Sequence, residues 1–123
     1  MSNTEQQIEQ EIQSKNLNAP RITPEHIDLK IKAVYYSNPL QGVDIATARE
    51  SGDYWSLLCL TFCTIVLENG FTVTGESACA SPDNFDEAVG QKIAYDNARN
   101  KIWQLEGYLL KEYLHKQNSK VEM

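Results

Sequence analysis

WSLLCLTFCTIVLENGFTVTGESAC, residues 55–79, decides the fold. Two runs rich in β-branched and aromatic residues, WSLLCLTFCTIVL and FTVTGESAC, flank Glu68-Asn69-Gly70. Asn-Gly is the preferred two-residue hairpin turn, because both central positions of a type I′ turn need positive φ. With Asn69 and Gly70 as that turn, Glu68 faces Phe71, and alternation assigns every later side chain to one of two faces. One face then carries Leu58, Leu60, Phe62, Val66, Phe71, Val73 and Cys79 and reads as core. The other carries Cys59, Thr61, Cys63, Ile65 and Leu67 opposite Ala78, Glu76, Thr74 and Thr72. That second face is half polar, yet too apolar for plain solvent surface. It is expected to meet a further strand, a second layer or another subunit. A slip of one residue would exchange the sides of the second strand.

Upstream, Thr23-Pro24-Glu25-His26 is a helix start: Thr23 caps free backbone N–H groups and Pro24 suits the first helical position. Ile27, Ile31 and Val34 follow at helical spacing, so the helix is expected to reach Tyr35-Tyr36 and stop before Ser37-Asn38-Pro39. Residues 37–53 read as a loop with a short helical piece around Ile45 to Arg49. Residues 1–18 are polar, with only Ile8 and Ile12 one turn apart, a thin apolar stripe for a helix in water. They read as a frayed arm or a short helix that docks on a partner subunit.

Downstream, Ser81-Pro82-Asp83 opens a last helix by the same cap-then-proline logic, and the helix is expected over Pro82 to Lys116. Phe85, Val89, Ala94, Ala98, Ile102, Leu105 and Leu109 form its inward stripe, widened by Trp103, Leu110 and Leu114. Gly90 and Gly107 interrupt it at a cost of about 1 kcal/mol each against alanine. A close helix-to-sheet contact explains Gly90, and a break in the helix explains Gly107. The fold class is therefore α+β, a small antiparallel sheet packed by a long C-terminal helix and a short N-terminal one. The expected organisation is a polar, partly flexible arm over 1–21, one α+β domain over 22–117 and a tail over 118–123.

At 123 residues the chain is of single-domain size, and 17 acids against 11 bases leave a formal charge of −6. Phosphate-driven binding to duplex DNA or RNA relies on clustered Lys and Arg, which are absent here, so no duplex nucleic-acid partner is expected. No apolar run approaches the roughly 20 residues that span a bilayer, and the start MSNTEQQIEQEIQSK lacks a secretory pattern. No membrane contact is expected, and the cytoplasm is the expected location. Cys59, Cys63 and Cys79 form no Cys-x-x-Cys pair, and His26 and His115 lie far from them, so the cysteines read as reduced apolar fillers, with no metal and no cofactor.

No nucleophile elbow, phosphate loop, zinc-helix or dinucleotide motif is present, and no catalytic residue is assigned. The nearest constellation is Thr74, Glu76 and Ser77, together with Thr72, on the second strand, with Ser81 and the start of the last helix behind them. Hydroxyls, a carboxylate and a helix N-terminus can hold a small polar ligand or a phosphate. Lys92, Arg99 and Lys101 on the last helix are the matching anion contacts. Against this, threonine is an ordinary strand residue, Ser81 an ordinary cap, and Lys92 with Asp96 an ordinary four-residue ion pair on a solvated face.

NGFTVTGESACASPDNF (69–85), GQKIAYDNA (90–98), IWQLEGYLL (102–110) and ITPEHID (22–28) together resemble a family of small phage accessory proteins named for bacteriophages N4 and Sf6. The resemblance implies a phage or prophage protein made in the bacterial cytoplasm and dispensable for building the virion. It carries over no functional residue. The expected role is stoichiometric binding in host takeover or counter-defence, as a sponge for a nucleotide signal or an inhibitor of a host protein. The leftover half-apolar sheet face predicts a homo-oligomer. Two alternatives remain: a small enzyme on a nucleotide or phosphorylated substrate, with Glu76 as its acid or base, and a structural partner subunit.

Overall fold

The hairpin forms where the sequence places it, but its turn is one residue longer. In the computed structural model, which describes residues 3–122, Gly70 N–H donates to Leu67 C=O at 2.9 Å and Leu67 N–H to Phe71 C=O at 2.8 Å. Gly70 alone in this loop takes a positive φ, +88°, while Asn69 accepts from Phe71 N–H through its side chain at 2.9 Å. The result is a three-residue loop, Glu68–Gly70, with glycine in the left-handed position, the next most common hairpin solution. Leu67, not Glu68, therefore faces Phe71, and the whole ladder shifts by one.

That shift reverses the expected faces of the first strand. β1 (Ile31–Ser37), β2 (Leu60–Leu67) and β3 (Thr72–Ala78) form an antiparallel sheet in the order β1-β2-β3. Phe62 pairs with Glu76 and Cys63 with Gly75. Thr61, Cys63, Ile65 and Leu67 are buried together with Val73 of β3, while Leu60, Phe62, Thr64 and Val66 are half-exposed and Phe71 is exposed. Val73 lies inside as expected. Leu60, Phe62 and Val66 do not, because alternation propagates the altered turn along the strand, and Phe71, on the same side as Val73, is exposed beside the turn.

The chain divides into two compact units, one made of Ile31–Arg99 and the other of the segments up to Lys30 and from Asn100 on. In the Ile31–Arg99 unit, the expected helix through Ile31 and Val34 is replaced by strand β1, paired antiparallel with β2 from Ser37↔Phe62 to Ile31↔Leu67. Ile-Lys-Ala-Val-Tyr-Tyr suits a pleated surface as well as a helix, and pairing along β2 decides between them. A 3-10 turn (Pro39–Gly42) and α3 (Ile45–Ser51) occupy the expected loop, and α4 (Tyr54–Leu58) follows it. The first β-rich run thus begins as a helical turn at Tyr54.

Ser81 does cap a turn after proline, accepting from Asp83 N–H at 3.3 Å, but that turn is a 3-10 one over Pro82–Asn84. The long helix α5 (Glu87–Glu122) starts afresh behind Asp86, whose Oδ1 accepts from Val89 N–H at 3.0 Å. Its Glu87–Arg99 part packs on the sheet through small residues. A Cβ on Gly75 would lie 2.3 Å from Ala94 O and Ala98 N, and one on Gly90 would lie 2.7 Å from Thr61 Oγ1. Ala94 and Ala98 are fully buried. The expected close contact at Gly90 is present, and Gly75 is its counterpart on the strand.

The other unit holds α1 (Asn3–Ser14), α2 (Pro24–Lys30) and the rest of α5. Thr23 caps α2, its Oγ1 accepting from His26 N–H at 3.1 Å. Glu106 of α5 is 2.6 Å from His26 Nε2 and 3.8 Å from Lys30 Nζ. Trp103 Nε1 donates to Glu5 of α1 at 3.2 Å, and the Arg21 guanidinium grips both oxygens of Glu9. Ile27 and Ile102 are fully buried, whereas Leu105 and Leu109 of the expected stripe are exposed. Gly107 makes no break: α5 runs through it, and a Cβ there would meet nothing.

Candidate functional site

Asn38 organises a concavity in the Ile31–Arg99 unit. It follows β1 and precedes Pro39, so its backbone is extended, which suits a cap. Its Oδ1 accepts from Leu40 N–H at 2.8 Å, and Gln41 Oε1 accepts from Asn38 N–H at 2.9 Å, a complete capping box on the 3-10 turn. Its Nδ2 reaches the carbonyls of Leu57 at 3.2 Å, Leu58 at 3.1 Å and Leu60 at 2.7 Å. One side chain thus ties the end of β1 to the α4–β2 junction.

Beside that tie lies a cleft of ≈240 Å³. Tyr36, Ser37, Asn38 and Gln41 line one side, Leu58 and Thr61 the base, and Phe85, Glu87 and Gln91 the side formed by the start of α5. Gln91 Nε2 makes only a long contact, 3.4 Å, to Glu87. Burial pushes the Tyr36 phenol above its ordinary pKa, reinforced by Cys63, Tyr95 and Asp96, so it stays a neutral hydroxyl. The lining offers hydroxyls, carboxamides and aromatic surface, with Glu87 as its single charged group. Such a set binds by hydrogen bonding and stacking rather than by ion pairing.

The residues singled out from the sequence lie around this unit and along α5. Thr74 and Glu76 are exposed on the sheet face away from α5, and Glu76 C=O accepts from Asn97 Nδ2 at 2.8 Å. Ser77, one residue on, points to the opposite face, where its Oγ donates to Gly90 C=O at 2.8 Å. The sheet therefore separates Thr74 and Glu76 from Ser77. Lys92 is exposed on α5 beside Gln91 in sequence. Arg99 is fully buried, with Nη1 donating to Tyr95 Oη at 3.0 Å. Lys101 is exposed on α5 in the other unit.

The cleft residues lay outside that set. Ser37-Asn38-Pro39 reads as a helix stop, and its capping box becomes visible only once β1 is known to end there. Among the described residues no three His, Cys, Asp or Glu side chains come together as metal ligands, and no helix is long and apolar enough to cross a membrane.

Neither a curated protein nor a solved structure matches the chain significantly. A family of phage proteins, described as Phage protein (N4 Gp49/phage Sf6 gene 66), matches it over residues 22–114. That span takes in α2, the whole sheet, the cleft and most of α5, and the chain belongs to this phage protein family.

Proposed function

We propose that this phage protein acts by stoichiometric binding in the host cytoplasm, in host takeover or counter-defence, by sequestering a small nucleotide signal. The cleft beside Asn38 carries the reading. Carboxamides present a donor and an acceptor side by side, the pattern that matches a base edge; Gln91 supplies such a pair, and Gln41, whose Oε1 is held by Asn38 N–H, adds its amide donor. Phe85 and Tyr36 supply rings on which a base stacks. Asn38 spends its own groups on backbone, so the wall it holds is preorganised.

At ≈240 Å³ the cleft suits one base-sized heterocycle rather than a drug-sized ligand. Glu87 disfavours an anion inside, so the base enters and the phosphate stays at the rim. Lys92, on the turn of α5 that carries Gln91, is the cation assigned to it. Thr74 and Glu76 enter only if the ligand or a second subunit also covers the outer sheet face. Arg99 and Ser77 serve as ligand contacts only if a larger ligand reaches them.

Isothermal titration with cyclic and linear nucleotides tests this reading. Binding with the nucleotide recovered unchanged is expected. Gln91→Leu should weaken it about tenfold, the loss of one or two hydrogen bonds. Equal affinity in Gln91→Leu and Phe85→Ala would refute the cleft as the site.

A second reading, inhibition of a host protein, draws on the outer sheet face. Tyr35 is 62 % exposed there, beside half-exposed Phe62 and Val66. The same face is proposed to support a homo-oligomer. Tyr35→Glu separates these from the nucleotide reading, because it should release a protein partner and leave nucleotide affinity unchanged.

A further inference from the structure

The one-residue shift of the hairpin puts two sulfurs opposite each other. Cys59, at the α4–β2 junction, falls across from Cys79, just past β3, and Cys79 N–H donates to Cys59 C=O at 3.3 Å. Cys59 ends α4 in the right-handed helical conformation, one residue before the ladder's outermost pair, Leu60↔Ala78, and its thiol is hydrogen-bonded to that of Cys79. Residues joined by such a backbone bond across antiparallel segments have Cα atoms about 5.5 Å apart. A disulfide accepts Cα separations of about 4.4–6.8 Å. Cys63 faces Gly75 and has no sulfur across from it.

We propose that Cys59 and Cys79 are a dithiol that closes to an intramolecular disulfide when a hydroperoxide reaches the protein, locking the α4–β2 junction to the end of β3. Cys79 is half-exposed and Cys59 buried, so Cys79 is the sulfur the oxidant meets. The Cys79 thiolate attacks one peroxide oxygen. An S–O bond forms, the O–O bond breaks, and the departing oxygen takes up a proton as water or alcohol. Cys59 sulfur then attacks Cys79 sulfur. The S–S bond forms, the S–O bond breaks, and the hydroxide leaves with the Cys59 proton as water. The two sulfurs together lose two electrons and the peroxide gains them.

The hydrogen bond to Cys79, reinforced by burial, holds the Cys59 thiol above its ordinary pKa. Cys59 thus keeps its proton until the second step and acts as the resolving thiol. In a reducing cytoplasm such a bond is transient and reversible by a dithiol, unlike a structural disulfide. It anchors Cys59, which lies between the cleft-lining residues Leu58 and Thr61.

Intact and peptide mass spectrometry of the folded, full-length chain tests this directly. The protein is treated with hydrogen peroxide, then denatured in an excess of a thiol alkylator. The wild type should carry one alkyl group, on Cys63, with a linked Cys59–Cys79 peptide, a monomeric mass and a melting temperature above that of the reduced form. Dithiol treatment should return three alkylated thiols. Cys63→Ala should still close the bond, and Cys59→Ser should instead leave a dimedone-reactive sulfenic acid on Cys79. Three alkylated thiols in the oxidised wild type, a bond involving Cys63, or links only between chains would overturn the proposal. If Cys63→Ala does not fold, the wild-type peptide map decides alone.

Discussion

Replacing Gly75 by alanine adds one methyl group at the point where β3 and α5 come closest. The new Cβ would sit 2.3 Å from Ala94 O and Ala98 N and 2.9 Å from Ala98 Cα. All three are backbone atoms, so no rotamer change relieves the clash. The helix must retreat by about 1 Å to reach an ordinary contact, opening the seam along buried Ala94 and Ala98. Overpacking a core typically costs about 1–3 kcal/mol, and a rigid backbone obstacle places this case at the upper end, about 3 kcal/mol. For a chain of this length that corresponds to a fall in melting temperature of roughly 10–15 °C. Urea unfolding followed by circular dichroism measures it, with Gly42→Ala as the control. A Cβ on Gly42 meets nothing within 4 Å, and that variant should stay within about 0.5 kcal/mol of wild type. A Gly75→Ala protein as stable as the control would refute the glycine–alanine seam and the register on which it depends.

Gly107→Ala should act in the opposite direction, raising stability by about 1 kcal/mol in the same urea titration, because the added methyl meets nothing in a continuous helix. Asn38→Ala removes a cap and three bonds to carbonyls, which should cost about 2–3 kcal/mol and lower the affinity of any cleft ligand as the wall loosens. The hydrogen-bonded Arg21 guanidinium holds Glu9 below the usual carboxylate range. Its folded pKa is thus lower than its unfolded one, so its contribution is present above about pH 4.5 and is lost as pH falls through the folded value. Glu9→Gln should flatten the acid limb of a stability–pH profile slightly, and molar salt should erase the difference.

Local chemistry made parts of this fold legible. Thr23-Pro24 starts α2 because capping needs only neighbours in sequence, and the strands flanking Asn69-Gly70 follow from β-branched residues and a turn. Gly90 was readable as a close approach because a glycine inside a helix demands a reason. What failed depended on partners distant in the chain. Ile27, Ile31 and Val34 satisfy a helical period, yet Ile31 and Val34 pair with Leu67 and Ile65 in a strand.

The turn length hung on whether Asn69 adopts positive φ, which its side-chain bond to Phe71 N–H makes unnecessary. That one residue reversed the faces of β2, and with them the expected roles of Phe62 and Cys63. Gly75 reads as a weak strand residue until α5 is seen against it. The cleft depends on the same long-range facts, since its sides come from β1, the α4–β2 junction and the start of α5. Glu87 and Gln91 look like ordinary solvated helix residues in sequence. Tyr36 and Asn38 look like the end of a helix that does not exist.

Sequestration of a nucleotide in the cleft is tested most directly by a thermal-shift screen of the pure protein against cyclic and linear nucleotides. Gln91→Leu runs in parallel, and the ligand is recovered afterwards for product analysis. The account predicts a dose-dependent rise in melting temperature for at least one nucleotide, of about 2.7 kcal/mol in stability at a hundredfold excess over its dissociation constant. The rise should be reduced in Gln91→Leu, and the nucleotide should return intact. A flat screen on well-folded protein would contradict the account, and so would a nucleotide that comes back cleaved in wild type but intact in Glu76→Gln.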